Sequence, residues 1–337
     1  MPFRLVAVLL FVTFAIASTA CGVIGGASAT ATPTTTATHT VTRTPTATHT
    51  PTATRTPLPT STPTPALTST PVPVEEVSET SLDVAAGRTI VLRVPRGAAA
   101  GATALFRGRE YPMLPDGEEL WAVMGVEAGA EPGTYALTVN LLDVEGALVG
   151  ELTDDVAVGF TAYPVEYITL PPGQAESISA EAVQQEISIR AAAFAVFTWE
   201  KLWDGPFIFP IAGPISAPFG AGRSYNGGPV GNRHSGTDFA ADEGSPVMAS
   251  ARGRVAFAGY LATRGNSVII DHGVGVFTGY HHMSRIDVVE GQEVAQGTPV
   301  GAVGMTGLAT GPHLHWELIV RGVYVDPVFW TYAGVAP

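Results

Sequence analysis

The 337-residue sequence has one cysteine, little charge, no His-Glu-x-x-His motif and no apolar run of the roughly 18 residues that reads as a membrane span. A lone cysteine excludes a disulfide scaffold and an all-cysteine zinc site. The absent apolar run excludes a multi-span membrane protein. The absent His-Glu-x-x-His excludes the zinc protease design whose base is a glutamate on the same helix. Charged residues make up 14% of the chain and sum to −13, which argues against a nucleic-acid binder, since that role needs a clustered basic face.

The charge that is present falls into three pieces. Residues 1–73 carry Arg4, Arg43 and Arg55 and no acid, 74–204 hold 21 acids against 7 bases, and 205–337 hold 9 against 7. In the first piece, Arg4 precedes an apolar stretch from Leu5 to Ala17 and the small residues Ser18, Thr19 and Ala20. That order predicts an export signal over 1–21, and so an extracytoplasmic protein. Cys21 followed by Gly22 resembles the lipobox of bacterial lipoproteins, with Ser18 where that pattern carries Leu. A lipid on Cys21 would tie the chain to a membrane. Residues 22–74 are dominated by Thr and Pro and are expected to form an extended stalk, because they lack the apolar residues that offset the entropy of folding. At polyproline-like extension the stalk would reach on the order of 140 Å. His39 and His49 lie there without acidic partners and read as solvated spacer residues.

Residues 82–166 show strand patterning: Thr89–Val94 is β-rich, and Tyr135, Leu137, Val139 and Leu141 alternate with Ala136, Thr138, Asn140 and Leu142. Pro95, Pro112, Pro115, Asp116-Gly117 and Pro132-Gly133 read as turns. The fold class expected here is mainly β, with a small acidic β-sandwich over 75–173. Residues 174–204 are rich in Ala and carry Ile178, Val183, Ile187, Phe194 and Phe197 at irregular helical spacings, which predicts a helical connector ending at Trp203-Asp-Gly-Pro206.

Six of the eight histidines lie in 205–337. His313 to Val320 reads as a strand, so His313 and His315, two apart, face one side. Catalytic zinc takes three protein ligands, commonly histidine nitrogen and carboxylate oxygen. His234 and Asp238 can supply two of them and one histidine of the pair the third, leaving the other beside the metal for proton transfer. His272, in an Asp-His-Gly turn, reads as structural.

His234-x-Gly236-x-Asp238, Tyr280-x-His282, Gly291-Gln292-x-Val294, Gly301-x-x-Gly304-x-Thr306-Gly307 and Thr310-Gly-Pro-His-Leu-His-Trp-Glu317 together resemble the lysostaphin-type peptidoglycan zinc metalloendopeptidases over about Gly205 to Val328, within a domain expected over 205–337. Glu131-Pro-Gly-Thr-Tyr135 and Leu202-Trp-x-Gly-Pro-Phe207 resemble the N-terminal β-domain and connector of some members. The resemblance implies an antiparallel sheet with an open groove. It also implies one Zn2+ on His234, Asp238 and His315, His282 and His313 as catalytic histidines, and peptidoglycan peptides as substrate. The Tyr-x-His spacing selects His282 over His281, and strand alternation is expected to turn His281 to the opposite face. The alternative is a non-catalytic wall-binding or regulatory protein that activates other wall hydrolases. A missing ligand or catalytic histidine would favour it, and all five positions are filled.

Overall fold

The structure, a computed structural model, describes residues 82–170, 173 and 178–332. The export signal, Cys21 and the stalk lie outside them. Among the described residues no helix is long and apolar enough to cross a membrane.

The acidic region is built from β1 (Asp83–Ala85), β2 (Thr89–Pro95), β3 (Gly101–Phe106), β4 (Arg109–Asp116), β5 (Glu119–Gly125), β6 (Gly133–Leu142) and β7 (Leu148–Gly159). They hydrogen-bond in the order β1-β7-β6-β3-β4-β5-β2. Strand β4 belongs to two leaves, since Met113 pairs with Ala102 of β3 while the next residue, Leu114, pairs with Trp121 of β5. Pro112 and Pro115, read above as turn formers, lie within β4, on either side of that change of partner. A proline cannot donate to a ladder, and such positions are where a strand can spare the bond. Alternate residues of β2 and β3 are buried, and Leu92, Phe106, Trp121, Leu137 and Val156 share one core.

β8 (Val165–Ile168) leads to helix α1 (Ala180–Ala195), capped by Ser179, whose hydroxyl accepts from the Ala182 N–H at 3.2 Å. The helix ends ahead of the Trp203-Asp-Gly-Pro206 stop. Beyond it the chain runs irregularly across the second sheet, where Val274 N–H donates to Thr198 O and Leu202 N–H to His272 O.

That second region contains β9 (Ile215–Ala217), β10 (Gly222–Tyr225), β11 (Thr237–Ala240), β12 (Pro246–Met248), β13 (Gly253–Leu261), β14 (Gly265–Asp271) and β15 (Val276–Met283). It continues with β16 (Arg285–Ile286), β17 (Glu293–Val294), β18 (Pro299–Ala302), β19 (His313–Val320), β20 (Val323–Val325) and the short α2 (Phe329–Tyr332). The main sheet is antiparallel in the order β17-β13-β14-β15-β19-β11-β9, with β20 added on β19. Leu314 and Trp316 of β19 point into its core, which fixes His313, His315 and Glu317 on the other face.

The two regions share buried surface. Trp203, Phe207, Val323, Val325 and Trp330 belong to the same apolar cluster as the acidic region's core. Asp326 N–H donates to Gly87 O at 2.8 Å, and the Asp326 carboxylate pairs with Arg88 at 3.0 Å.

His272 is the turn residue its context suggested, fully buried with Nδ1 2.8 Å from Arg252 O and Nε2 2.8 Å from Thr278 Oγ1. Burial pushes its pKa down to about 4. The unfolded chain takes up this proton near pH 6.5 and the native chain does not, so stability falls as pH drops from 6.5 towards 4 and levels off below. The slope from one such group is roughly 1.4 kcal/mol per pH unit. Urea unfolding at pH 7 and pH 5 should therefore show a smaller loss for His272→Gln than for the native sequence.

Candidate metal centre

Backbone register brings the motif residues together. Asp238 of β11 lies directly across from His315 of β19, and His234 sits four residues before Asp238 on the preceding loop. His234 Nε2 is 3.0 Å from Asp238 Oδ1 and 2.9 Å from His315 Nδ1, while His315 Nδ1 is 2.6 Å from Asp238 Oδ1.

The partners of these rings decide what faces inward. His234 Nδ1 is 2.9 Å from Pro218 O, a carbonyl that only accepts, so Nδ1 carries the proton and Nε2 is a bare lone pair. His315 Nε2 is 3.0 Å from Glu317 Oε1, so its proton lies there and Nδ1 is bare. Two bare nitrogens and a carboxylate oxygen then point at one another inside the fold. A proton or a cation between them relieves the repulsion. Nitrogen, nitrogen and oxygen is a donor set that suits zinc.

Electrostatics agree with that picture. Burial pushes His234 down to about 4 despite Asp238. Burial works against the Asp238 charge, but His315 and His234 outweigh it and hold the carboxyl well below its usual range. His315 moves up, because the attraction of Asp238 and Glu317 exceeds the effect of burial. The second Asp238 oxygen accepts from Arg223 Nη2 at 2.9 Å, and Arg223 Nε donates to Glu166 at 3.3 Å. Glu166 comes from β8, which pairs in parallel with β10.

His282 and His313 stand beside this triad. Their ring centroids are 4.7 Å apart, and His282 is 6.0 Å from His315. His282 Nδ1 is 2.8 Å from Thr306 O and His313 Nδ1 is 2.8 Å from Gly311 O, so each ring holds its proton on a backbone carbonyl. Burial, reinforced by His313 and His315, keeps the His282 pKa well below its ordinary value.

His281 differs from expectation. It lies across from His315 in the β15–β19 register and therefore shares the face of the triad. Its Nε2 is 3.1 Å from Glu317 Oε2 and its Nδ1 2.8 Å from Ser267 Oγ. His282 reaches the same side through a bulge: the β14–β15 register shifts between Asn266 and Val268, and His282 adopts φ 62°. Burial pushes His281 down to about 3 against the pull of Glu317. Tyr280 points into the core, its hydroxyl accepting from Ser250 N–H at 2.7 Å.

Sequence reading assigned no role to Glu317, Arg223, Arg264 or Ser235. Glu317, two residues after His315 on the same face, could have been found from strand period alone. The arginines left no local signal. Gly236, between His234 and Asp238, is a close-approach position: a Cβ there would lie 2.3 Å from Trp316 O and 2.9 Å from His315 Cε1. Gly236→Ala is expected to cost roughly 1–3 kcal/mol and to weaken metal binding by shifting His315. Thermal melting paired with a zinc titration measures both.

Three converging donors, His234, Asp238 and His315, that could hold a metal ion, with two imidazoles beside them, form the donor arrangement of a candidate metal centre. Residues 232–327 match peptidase family M23. The chain is 44% identical over 117 residues to the DD-carboxypeptidase/endopeptidase Mpg of Neisseria meningitidis, covering 34% of this chain and 26% of that protein. It is 49% identical over 89 residues to the peptidoglycan DD-endopeptidase ShyA of Vibrio cholerae, covering 26% and 21%. The chain thus spans about a quarter of the length of these curated relatives. A solved structure of a peptidase M23 from Pseudomonas aeruginosa is 29% identical with a TM-score of 0.54, covering 73% of this chain and 94% of that one. That share is larger than 232–327, so the likeness takes in the region ahead of the family domain.

Proposed function

We propose that the protein is a zinc metalloendopeptidase that hydrolyses peptide bonds in peptidoglycan stems or cross-links, exported and held at the cell surface. The observation that carries this reading is the convergence of His234 Nε2, Asp238 Oδ1 and His315 Nδ1 beside His282 and His313. The substrate class rests on relatives whose names give peptidoglycan DD-endopeptidase activity.

His234, Asp238 and His315 would hold the metal, which supplies a Lewis acid that polarises a carbonyl and makes water acidic enough to react at neutral pH. The imidazole pair handles the protons. With both Nδ1 atoms committed to carbonyls, the Nε2 atoms of His282 and His313 face the reaction, one taking the proton of the attacking water. The protonated ring then donates to the leaving amine or stabilises the developing oxyanion. His313 is the more exposed of the two and is assigned as the base, with His282 as its partner.

Export over 1–21, a lipid on Cys21 and a stalk over 22–74 would place the site against the wall, and the acidic β-region over 75–173 would space or dock it. Digestion of purified peptidoglycan, with products identified by mass spectrometry, tests the reading. New peptide termini should appear and should vanish with a chelator or in His313→Ala. Identical products in all three samples would overturn the mechanism.

A further inference from the structure

Glu317 is fully buried and is the acceptor at the centre of a polar network behind the metal centre. Oε1 accepts from Ser235 Oγ at 2.7 Å, from Arg264 Nη2 at 2.9 Å and from His315 Nε2 at 3.0 Å. Oε2 accepts from His281 Nε2 at 3.1 Å and from Arg190 Nη2. Arg190 does not belong to the sheet that carries the site. It comes from α1, ahead of the residues that match the family. The same helix supplies Glu186, which accepts from Thr263 N–H at 2.6 Å and from Arg264 Nη1 at 2.7 Å.

The helix meets the sheet through these charges and, one turn on, through Ala193 and Phe194, which pack on Phe277 and its neighbours. Glu186, Arg190 and Ala193 are its buried residues, whereas Ile187 is 53% exposed. A cavity of about 750 Å³, lined by Val183, Phe194, Arg264 and Tyr324 among others, lies between helix and sheet. A helix that buries an acid and a base, both bonded to groups of the sheet, is placed to hold those polar groups in position.

We infer that Arg190 of the connector helix is a positioning residue for the metal centre: it fixes Glu317, which fixes the His315 ring with its proton on Nε2 and its Nδ1 lone pair towards the metal. The inference rests on the reading of His234, Asp238 and His315 as metal ligands. Without Arg190, Glu317 keeps Arg264 and Ser235 on Oε1 but loses its charged partner on Oε2. His281 is then the one remaining partner named on Oε2, so the carboxylate, and His315 with it, is held less firmly. Outer partners of metal-binding histidines typically alter affinity by 10–100-fold.

The test uses the full chain, with zinc affinity measured by competition against a chelating dye and ligand geometry by the visible absorption of the cobalt-substituted protein. Arg190→Met should weaken zinc binding about 10–100-fold and shift the cobalt bands. Arg190→Lys, which keeps the charge without the planar fork, should retain part of the affinity and guards against a methionine variant that does not fold. A purely structural role would lower the melting temperature of the metal-free protein and leave the cobalt bands in place, which overturns the inference. So would native zinc affinity in a folded Arg190→Met or an Arg190→Lys no better than Met. If the unsubstituted chain bound no zinc, the ligand assignment itself would fall, and the two failures are thereby distinguished.

Discussion

Asp238→Ala is expected to reduce bound zinc from about one per chain to near zero and to lower the rate of peptidoglycan hydrolysis by roughly 10³-fold or more, because the metal contributes several kcal/mol to the transition state. Three effects act together. The substitution removes a ligand, and it removes the only negative charge among the three inward-facing donors. It also leaves Arg223, which bonds the second Asp238 oxygen at 2.9 Å, with its positive charge turned towards two bare imidazoles. Glu166 remains on Arg223 Nε at 3.3 Å and only partly offsets that charge. Asp238→Asn should behave almost as badly, since it restores an oxygen but no charge. Metal content after gel filtration, alongside release of soluble wall fragments, measures both quantities. Full zinc occupancy in Asp238→Ala would remove Asp238 from the ligand set. A double substitution with Arg223→Ala separates the effects, recovering zinc affinity to the extent that the stranded cation is responsible.

What the sequence disclosed of this site followed the range over which its signals act. His234-x-x-x-Asp238 and His313-x-His315 are local spacings, and the strand period of two places the second pair on one face without further information. The mainly β fold was legible for the same reason in β2, β6 and β19, where alternation is regular. Alternation misled at His281. The bulge opposite Ser267 and the left-handed backbone of His282 bring successive residues to one side, and neither can be read from residue type. The connector helix was visible from its alanines and lack of proline, but its buried face was not. A helix that buries Glu186 and Arg190 breaks the apolar pattern that would reveal its inner side, and their partners are 77 and 127 residues away in the chain. Pro112 and Pro115 were legible as interruptions, though they mark a change of partner within β4 rather than turns.

His313→Ala and His282→Ala should each lower kcat by about 10²–10⁴-fold, the range of a positioned proton-transfer group, while leaving about one zinc per chain. The separation follows from the geometry. Neither ring contributes an atom to the converging triad, and both Nδ1 atoms bond carbonyls of the Thr306 and Gly311 loop. Removing either ring therefore leaves His234, Asp238 and His315 with their supports intact. The two variants should nonetheless differ in stability. His313 is half-buried at the edge of β19, and its loss costs little. His282 holds a left-handed conformation that costs of order 1–3 kcal/mol in a non-glycine residue, secured by its N–H to Arg264 O and by its ring on Thr306 O. Alanine keeps the strain and loses the ring's bond, so His282→Ala should melt lower than His313→Ala, and His282→Gly should recover part of the difference with no recovery of rate. A fall in zinc content that tracks the fall in kcat in either variant would move that residue from the proton-transfer pair into the ligand set.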